Sequence, residues 1–318
     1  MFRHAAAIGA DIGRNSIRIA IVRIGGEILI ARTWELDRIQ TRDYITAKLT
    51  EAVRETRRTA AELGINPICV GISARGFVDH RNGVVAGPDH GIKDWTDVPL
   101  ADIVNRETGL PAFAGNDANM MTIAEHSFGA AKGKENVVFI ALRTGIGGGI
   151  IIGGRLYRGV NNAGGEIGQM IVRYRGASKI ASLKGSLESL ASADAMVRRF
   201  SDLSGKGNYP QLPSCREIFE LSYSGHRVAM RVVRENADII GVGIANIISI
   251  FAPEMVVIGG GMAEAEGGYL ELIRESAFRN SLENCRSSIM IERALLKADS
   301  AITGAGYYSL SRLAGNTL

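Results

Sequence analysis

A pattern at the start of this chain recurs a little past residue 130, and the recurrence limits what the chain can fold into. Residues 6–12 and 17–23 are apolar, β-branched runs parted by Gly13-Arg14-Asn15-Ser16. Residues 137–142 form a like run. Thr144-Gly145-Ile146-Gly147-Gly148 follows as a glycine turn, residues 149–152 return, and Gly153-Gly154 turns the chain into 155–157. Such runs read as strands and such turns as hairpin connections. Two openings of this kind predict an internal duplication, with two lobes that each begin in a strand, a phosphate-sized turn and a return strand. At 318 residues the chain also exceeds one usual compact domain.

The rest alternates. Gly25-Gly26 leads into a strand at 27–35. Residues 46–63 carry Leu49, Val53 and Leu63 at helical spacing, with Gly64 as the stop. A strand at 68–73 follows, then helices at 100–107 and 118–128 around a strand at 112–115. Helices dominate after Leu187, among them a long one at 229–251 ended by Pro253. A Val-Val-Ile strand at 255–258 runs into Gly259-Gly260-Gly261, and a short strand at 289–291 lies among the closing helices. Strands alternating with helices, and glycines at strand ends, predict α/β architecture with ligands at those ends. The 39 glycines and 46% hydrophobic content agree with a large core and many close backbone approaches.

The net charge of +4 comes from scattered basic residues, with no run beyond pairs such as Arg57-Arg58. That is a solvated surface rather than a nucleic-acid patch. No apolar run reaches membrane-spanning length, and Met1-Phe2-Arg3-His4 leads into a strand pattern without a cleavage region. Cys69, Cys215 and Cys285 are odd in number and far apart, as expected of reduced thiols in a cytoplasm.

Four places carry chemistry. A phosphate needs backbone N–H groups aimed at it and no side chains in the way, which both glycine turns offer; an ordinary hairpin would look the same. Asp11 ends a strand, where it either holds a Mg²⁺ through water or caps the turn. Gly259-Gly260-Gly261 would let a flat base or ribose lie against backbone, or is a plain strand-to-helix turn. Asn116-Asp117-Ala118-Asn119 stands where a strand becomes a helix. A carboxylate there is well placed to take a proton from an attacking hydroxyl, although Asn and Asp are also good helix caps. Glu166, beyond Gly164-Gly165, could accept two sugar hydroxyls or be an exposed loop residue.

Taken in order, Asp11-Ile12-Gly13, Gly76-Phe77-Val78-Asp79, Trp95 with Val98-Pro99-Leu100, Asn116-Asp117-Ala118-Asn119, Thr144-Gly145-Ile146-Gly147, Ala163-Gly164-Gly165-Glu166-Ile167-Gly168 and Gly259-Gly260-Gly261 resemble a known family. It is the repressor, open-reading-frame, kinase (ROK) family of sugar kinases and sugar-responsive regulators, and the resemblance runs from about residue 7 to about residue 310. It implies an α/β, actin-like ATPase (ribonuclease H-like) fold with two lobes around a central cleft, commonly as a homodimer. The small lobe would be residues 1–115, joined by a C-terminal helix at about 304–318; the large lobe, 116–303, would hold the sugar site and the dimer surface. The resemblance implies Asp117 as general base and Gly76, Asp89, Asn116, Glu166, Gln169 and Glu188 around the sugar. ATP would contact Asp11, Gly13, Arg14, Asn15, Thr144, Gly145, Gly147, Gly259, Gly260 and Gly261, with Mg²⁺ near Asp11.

The chain departs from the family pattern in four ways. Arg14-Asn15-Ser16 replaces the Gly-Thr, often with Lys, that follows Asp-Ile-Gly in the kinases, and is closer to the regulators. Gln169 stands where the family has a His that serves both the sugar and a structural zinc, and Gln is not a normal zinc ligand. The cysteine cluster is missing, so no zinc is expected and packing should hold the loop before Glu188. Pro88-Asp89 replaces Pro-Asn, exchanging a donor for an acceptor near the sugar.

The expected activity is ATP-dependent phosphorylation of the 6-hydroxyl of an aldohexose or N-acyl-hexosamine, as in a glucokinase, with the lobes closing to exclude water. The alternative is a sugar-binding regulator or sensor without kinase activity. Only a few residues precede Ala6, too few for a DNA-binding domain of its own.

Overall fold

The structure is a computed structural model that describes residues 5–87, 91–174, 183–205, 209, 211–286 and 288–316. The chain divides into two compact units. One holds residues 1–133, 155–164 and 298–318; the other holds 134–154 and 165–297.

The first unit opens with β1 (Ala6–Ile12), β2 (Ser16–Arg23) and β3 (Ile28–Glu35), followed by α1 (Arg42–Glu62) and β4 (Pro67–Ala74). A short hairpin, β5 (Val78–Asp79) and β6 (Val84–Val85), leads to α2 (Leu100–Thr108), β7 (Ala112–Asn116) and α3 (Asp117–Ser127). The sheet order is β3-β2-β1-β4-β7. β1, β2 and β3 pair antiparallel, while β4 and β7 run parallel to β1.

Every residue of β1 is buried because both faces of the sheet are covered. Ile8, Ala10 and Ile12 join Ile45, Leu49 and Val53 of α1 in one cluster. The other face meets the last helix of the chain, α10 (Ser300–Leu313). There Gly9 and Gly71 admit the helix backbone: a Cβ on them would stand 2.1 Å from the Ile302 carbonyl oxygen and 1.8 Å from that of Ala305.

α1 begins four residues before the expected 46, because the Thr41 hydroxyl accepts the Tyr44 N–H at 3.2 Å and caps it. α3, assigned from the sequence to the second lobe, packs on α10 and falls in this unit.

The second unit repeats the plan. β8 (Val137–Leu142), β9 (Ile146–Ile152) and β10 (Arg155–Tyr157) are followed by α4 (Leu187–Ala191), α5 (Ala193–Ser204), α6 (Cys215–Tyr223) and α7 (Arg227–Phe251). Then come β11 (Met255–Gly259), α8 (Tyr269–Arg279), α9 (Glu283–Arg286) and β12 (Met290–Arg293). The order β10-β9-β8-β11-β12 mirrors the first sheet strand for strand; its edge strand β10 opens the 155–164 segment grouped with the first unit. β8 and β9 are antiparallel, and β8, β11 and β12 are parallel. α7 buries Ile240, Ile244 and Ile248 in a core shared with Ile140 of β8 and Ile258 of β11. This duplicated sheet with helices is the α/β, actin-like ATPase fold.

One expected boundary moves. The glycine turn does not extend to Gly148, because β9 begins at Ile146 and Gly147, Gly148 and Gly149 pair with Ala141, Ile140 and Phe139. Gly148 is glycine because another segment lies on it: a Cβ there would meet the Ile167 side chain at 2.4 Å. Among the described residues no helix is long and apolar enough to cross a membrane.

Candidate active site

In the first unit, the parallel strands β1, β4 and β7 end side by side. Asp11 is in register with Ser73, and Ser73 with Gly115, so β1 and β7 lie two strand spacings, about 10 Å, apart. Asp11 is 7% exposed, and its Oδ1 accepts the Ser73 hydroxyl at 2.6 Å. Such a short bond to a carboxylate is charge-assisted and fixes its orientation. The turn beyond β1 is drawn into the unit by its carbonyl groups. That of Gly13 accepts from Arg75 at 3.4 Å, that of Arg14 from the Gln40 amide at 2.7 Å, and that of Asn15 from the Leu36 N–H at 2.8 Å. The side chains of Arg14 and Asn15 are exposed.

At the end of β7, Asn116 does two jobs. Its Oδ1 accepts the Asn119 N–H at 3.2 Å, which makes it the N-cap of α3, and its Nδ2 donates to the Gly76 carbonyl at 3.1 Å. Gly76 has a φ of +88°, which only glycine adopts at ease. The residue before it is fixed by Trp95, 1% exposed, whose indole N–H donates to the Arg75 carbonyl at 3.2 Å. Asp117 occupies the first turn of α3, where its Oδ1 accepts the Ala118 N–H at 2.9 Å and the helix dipole favours a carboxylate. Asp79 of the same motif is structural, since it accepts from the Arg81 N–H and the Asn82 amide within its own turn. Asp89 lies outside the described residues.

In the second unit, Thr144 and Gly145 follow β8, while Gly259 ends the neighbouring β11 and Gly260 and Gly261 follow it. Gly147 lies inside β9 opposite Ala141 and is therefore not part of the turn. Gly260 has a φ of +90°, and a Cβ on it would stand 2.4 Å from the Leu142 carbonyl oxygen, so only glycine lets the ends of β8 and β11 approach this closely. Gly261 has no atom within 4 Å of its would-be Cβ. It opens onto a cavity of about 770 Å³ lined also by Arg143, Thr144, Cys215, Phe219 and Tyr223.

Glu166 begins a short 3₁₀ turn, Ile167–Gln169, that packs on β9. Glu188, in the first turn of α4, accepts the Ile146 N–H on Oε2 at 2.9 Å and the Gln169 amide on Oε1 at 3.2 Å. Gln169 in turn accepts the Leu183 N–H at 3.2 Å.

The face of α6 toward the cavity had no motif to announce it. Its signal is the i, i+4, i+8 spacing of Cys215, Phe219 and Tyr223 behind a Ser214/Glu217 capping box. Burial, and then the nearby Asp194, push the Cys215 thiol up to about 12. Arg143 and Ser73 were likewise not singled out from sequence, although each adjoins a residue that was.

The donor sets separate the two metals that the family resemblance implies. Asp11 is one carboxylate at a strand end, which suits Mg²⁺, an ion that keeps most of its waters and takes phosphate oxygens. The residues beside Glu188 do not suit zinc, because the Gln169 amide is engaged at both ends by protein groups. Among the described residues no group of three or more His, Cys, Asp or Glu is placed to hold a metal ion.

The ROK family profile matches residues 7–311. The glucokinase of Thermotoga maritima is 30% identical over 97% of this chain and 98% of its own length. A putative xylose repressor from Caldicellulosiruptor sp. is 28% identical over 93% of this chain and 76% of its own. Among solved structures, a ROK family glucokinase from Streptomyces griseus in complex with glucose and AMPPNP superposes with a TM-score of 0.82 at 30% identity, covering 96% of this chain and 100% of that one.

Proposed function

Because the chain belongs to the ROK family, we propose that it is an ATP-dependent sugar kinase that phosphorylates the 6-hydroxyl of an aldohexose or an N-acyl-hexosamine. The observation that carries this reading is the cavity of about 770 Å³ beside Thr144 and Gly261. A protein that only senses a sugar needs one small-molecule site. A nucleotide-sized cavity flanked by a glycine turn supports a second substrate. The nucleotide-bound relative agrees with it.

In this reading Asp117 accepts the proton of the sugar 6-hydroxyl as its oxygen attacks the γ-phosphorus of ATP and ADP leaves. The Gly13 N–H is spent on the Ser16 carbonyl at 2.9 Å, so the turns would offer phosphates the backbone N–H groups of Arg14–Asn15 and Thr144–Gly145, and Arg14 would add charge. Mg²⁺ near Asp11 would neutralise phosphate charge. Gly76, Asn116, Glu166 and Glu188 would hold the sugar, Asn116 by ordering Gly76 as well as by contact. Assembly as a homodimer belongs to the same proposal and is read by sedimentation.

The test is Mg-ATP turnover by the purified protein against a panel of hexoses and N-acyl-hexosamines, coupled to ADP release. Asp117→Asn should lower kcat by about 10² or more while sugar affinity persists. Unchanged turnover in that variant would remove Asp117 as the base. A sugar-responsive regulator is the second reading, favoured by Arg14-Asn15-Ser16 and by the repressor relative. No turnover, with a sugar still raising the melting temperature, would decide for it.

A further inference from the structure

Gln169 joins two segments of the second unit through its side chain. The neck of the loop before α4 is closed by backbone bonds, from Val172 N–H to the Gly185 carbonyl at 2.9 Å and from Leu187 N–H to the Met170 carbonyl at 2.9 Å. Beside the neck, the Gln169 side chain uses both ends of its amide. Oε1 accepts the Leu183 N–H at 3.2 Å and Nε2 donates to Glu188 Oε1 at 3.2 Å. Glu188 passes the constraint on, since its other oxygen accepts the Ile146 N–H at 2.9 Å at the point where the glycine turn enters β9.

A Cβ on Gly145 would stand 2.4 Å from that same oxygen, so the carboxylate lies against the turn. A continuous run of hydrogen bonds therefore links Leu183, Gln169, Glu188 and Ile146. An amide suits the middle place because its oxygen accepts from an N–H while its nitrogen donates to a carboxylate.

We infer that Gln169 is a positioning residue rather than a sugar ligand: it cross-links the segment before α4 to Glu188 and sets that carboxylate against the Thr144–Ile146 turn, without a metal ion. Its consequence for sugar affinity rests on the kinase reading above; the cross-link itself does not.

The experiment is hydrogen–deuterium exchange by mass spectrometry on the full chain, with no ligand added, reading peptides that span 141–150 and 183–190. Gln169→Ala and the volume-matched Gln169→Met should exchange faster in both peptides, and the wild type should be unaffected by EDTA. Exchange unchanged in both variants, or opened by EDTA in the wild type, overturns the proposal whether or not the protein is a kinase.

Sugar binding then supplies a second arm. Gln169→Glu puts a carboxylate beside Glu188, so it should weaken the affinity for the sugar found in the turnover panel more than Gln169→Ala does. A sugar ligand predicts the reverse order, because a carboxylate still accepts a hydroxyl. In a double-mutant cycle, Gln169→Ala should add little to Glu188→Gln, since it acts through that residue. Additive effects would overturn the positioning role.

Discussion

Replacing Asn116 separates two functions that one side chain performs. The residue has φ −65° and ψ 144°, caps α3 through Oδ1 and holds the Gly76 carbonyl through Nδ2. Asn116→Ala removes both. Loss of the cap costs about 1 kcal/mol, and loss of the second hydrogen bond about another 1 kcal/mol. For a unit of this size that total of about 2 kcal/mol lowers the melting temperature by roughly 4–8 °C. Asn116→Asp keeps the cap, since aspartate caps as well as asparagine, but cannot donate to Gly76, so it should lose about half as much. Both variants release the Gly76 loop, and at about 1 kcal/mol sugar affinity should fall about fivefold in each. Thermal unfolding by circular dichroism and titration calorimetry well below both transitions read the two effects apart. If Asn116→Asp melts as low as Asn116→Ala, the cap contributes nothing. If it binds sugar like the wild type, the link to Gly76 is irrelevant to the site.

Two further outcomes test the cavity. Gly261→Leu projects into open space, so the fold should be undisturbed while the KM for ATP rises by about tenfold or more and sugar affinity stays constant; steady-state kinetics and calorimetry check both, and an unchanged KM would move the nucleotide elsewhere. Cys215 titrates near 12, above neutral pH, so its alkylation, followed by peptide mass, should rise about tenfold per pH unit from pH 7 to 10 as the thiolate fraction grows. A plateau near pH 8 would contradict the burial that raises it, and ATP should slow the reaction.

The duplicated hairpins were legible because β1, β2 and β8 are short β-branched runs with glycine at the turns, a signal that needs no tertiary context. The glycines at 147 and 148 were misread because glycine marks two different things. It allows a tight turn, and it allows another segment to lie against a strand; here the second applies, with Ile167 covering Gly148. Asn116 raised the choice between cap and ligand, and the local sequence supports both, so only the position of Gly76 shows how the side chain is spent. Gln169 was assigned to the sugar by resemblance, yet its partners lie at 183 and 188, and no local pattern reports a pairing across that loop. The loop was expected to rely on packing; at its described neck, backbone bonds and one amide also hold it.

The way α10 closes the first unit has a consequence for synthesis on the ribosome. β1 emerges long before α10, yet α10 covers one face of β1, and Arg18 reaches Asp299 across 281 residues at 2.7 Å. The second unit carries its core and four of the five strands of its sheet between these two segments. A nascent chain can therefore finish the second unit while the first still shows the bare face of its sheet, with Gly9 and Gly71 awaiting the helix. Translation arrested anywhere short of residue 300 should leave a protein that cannot complete the unit holding Asp11 and Asp117, however long it waits.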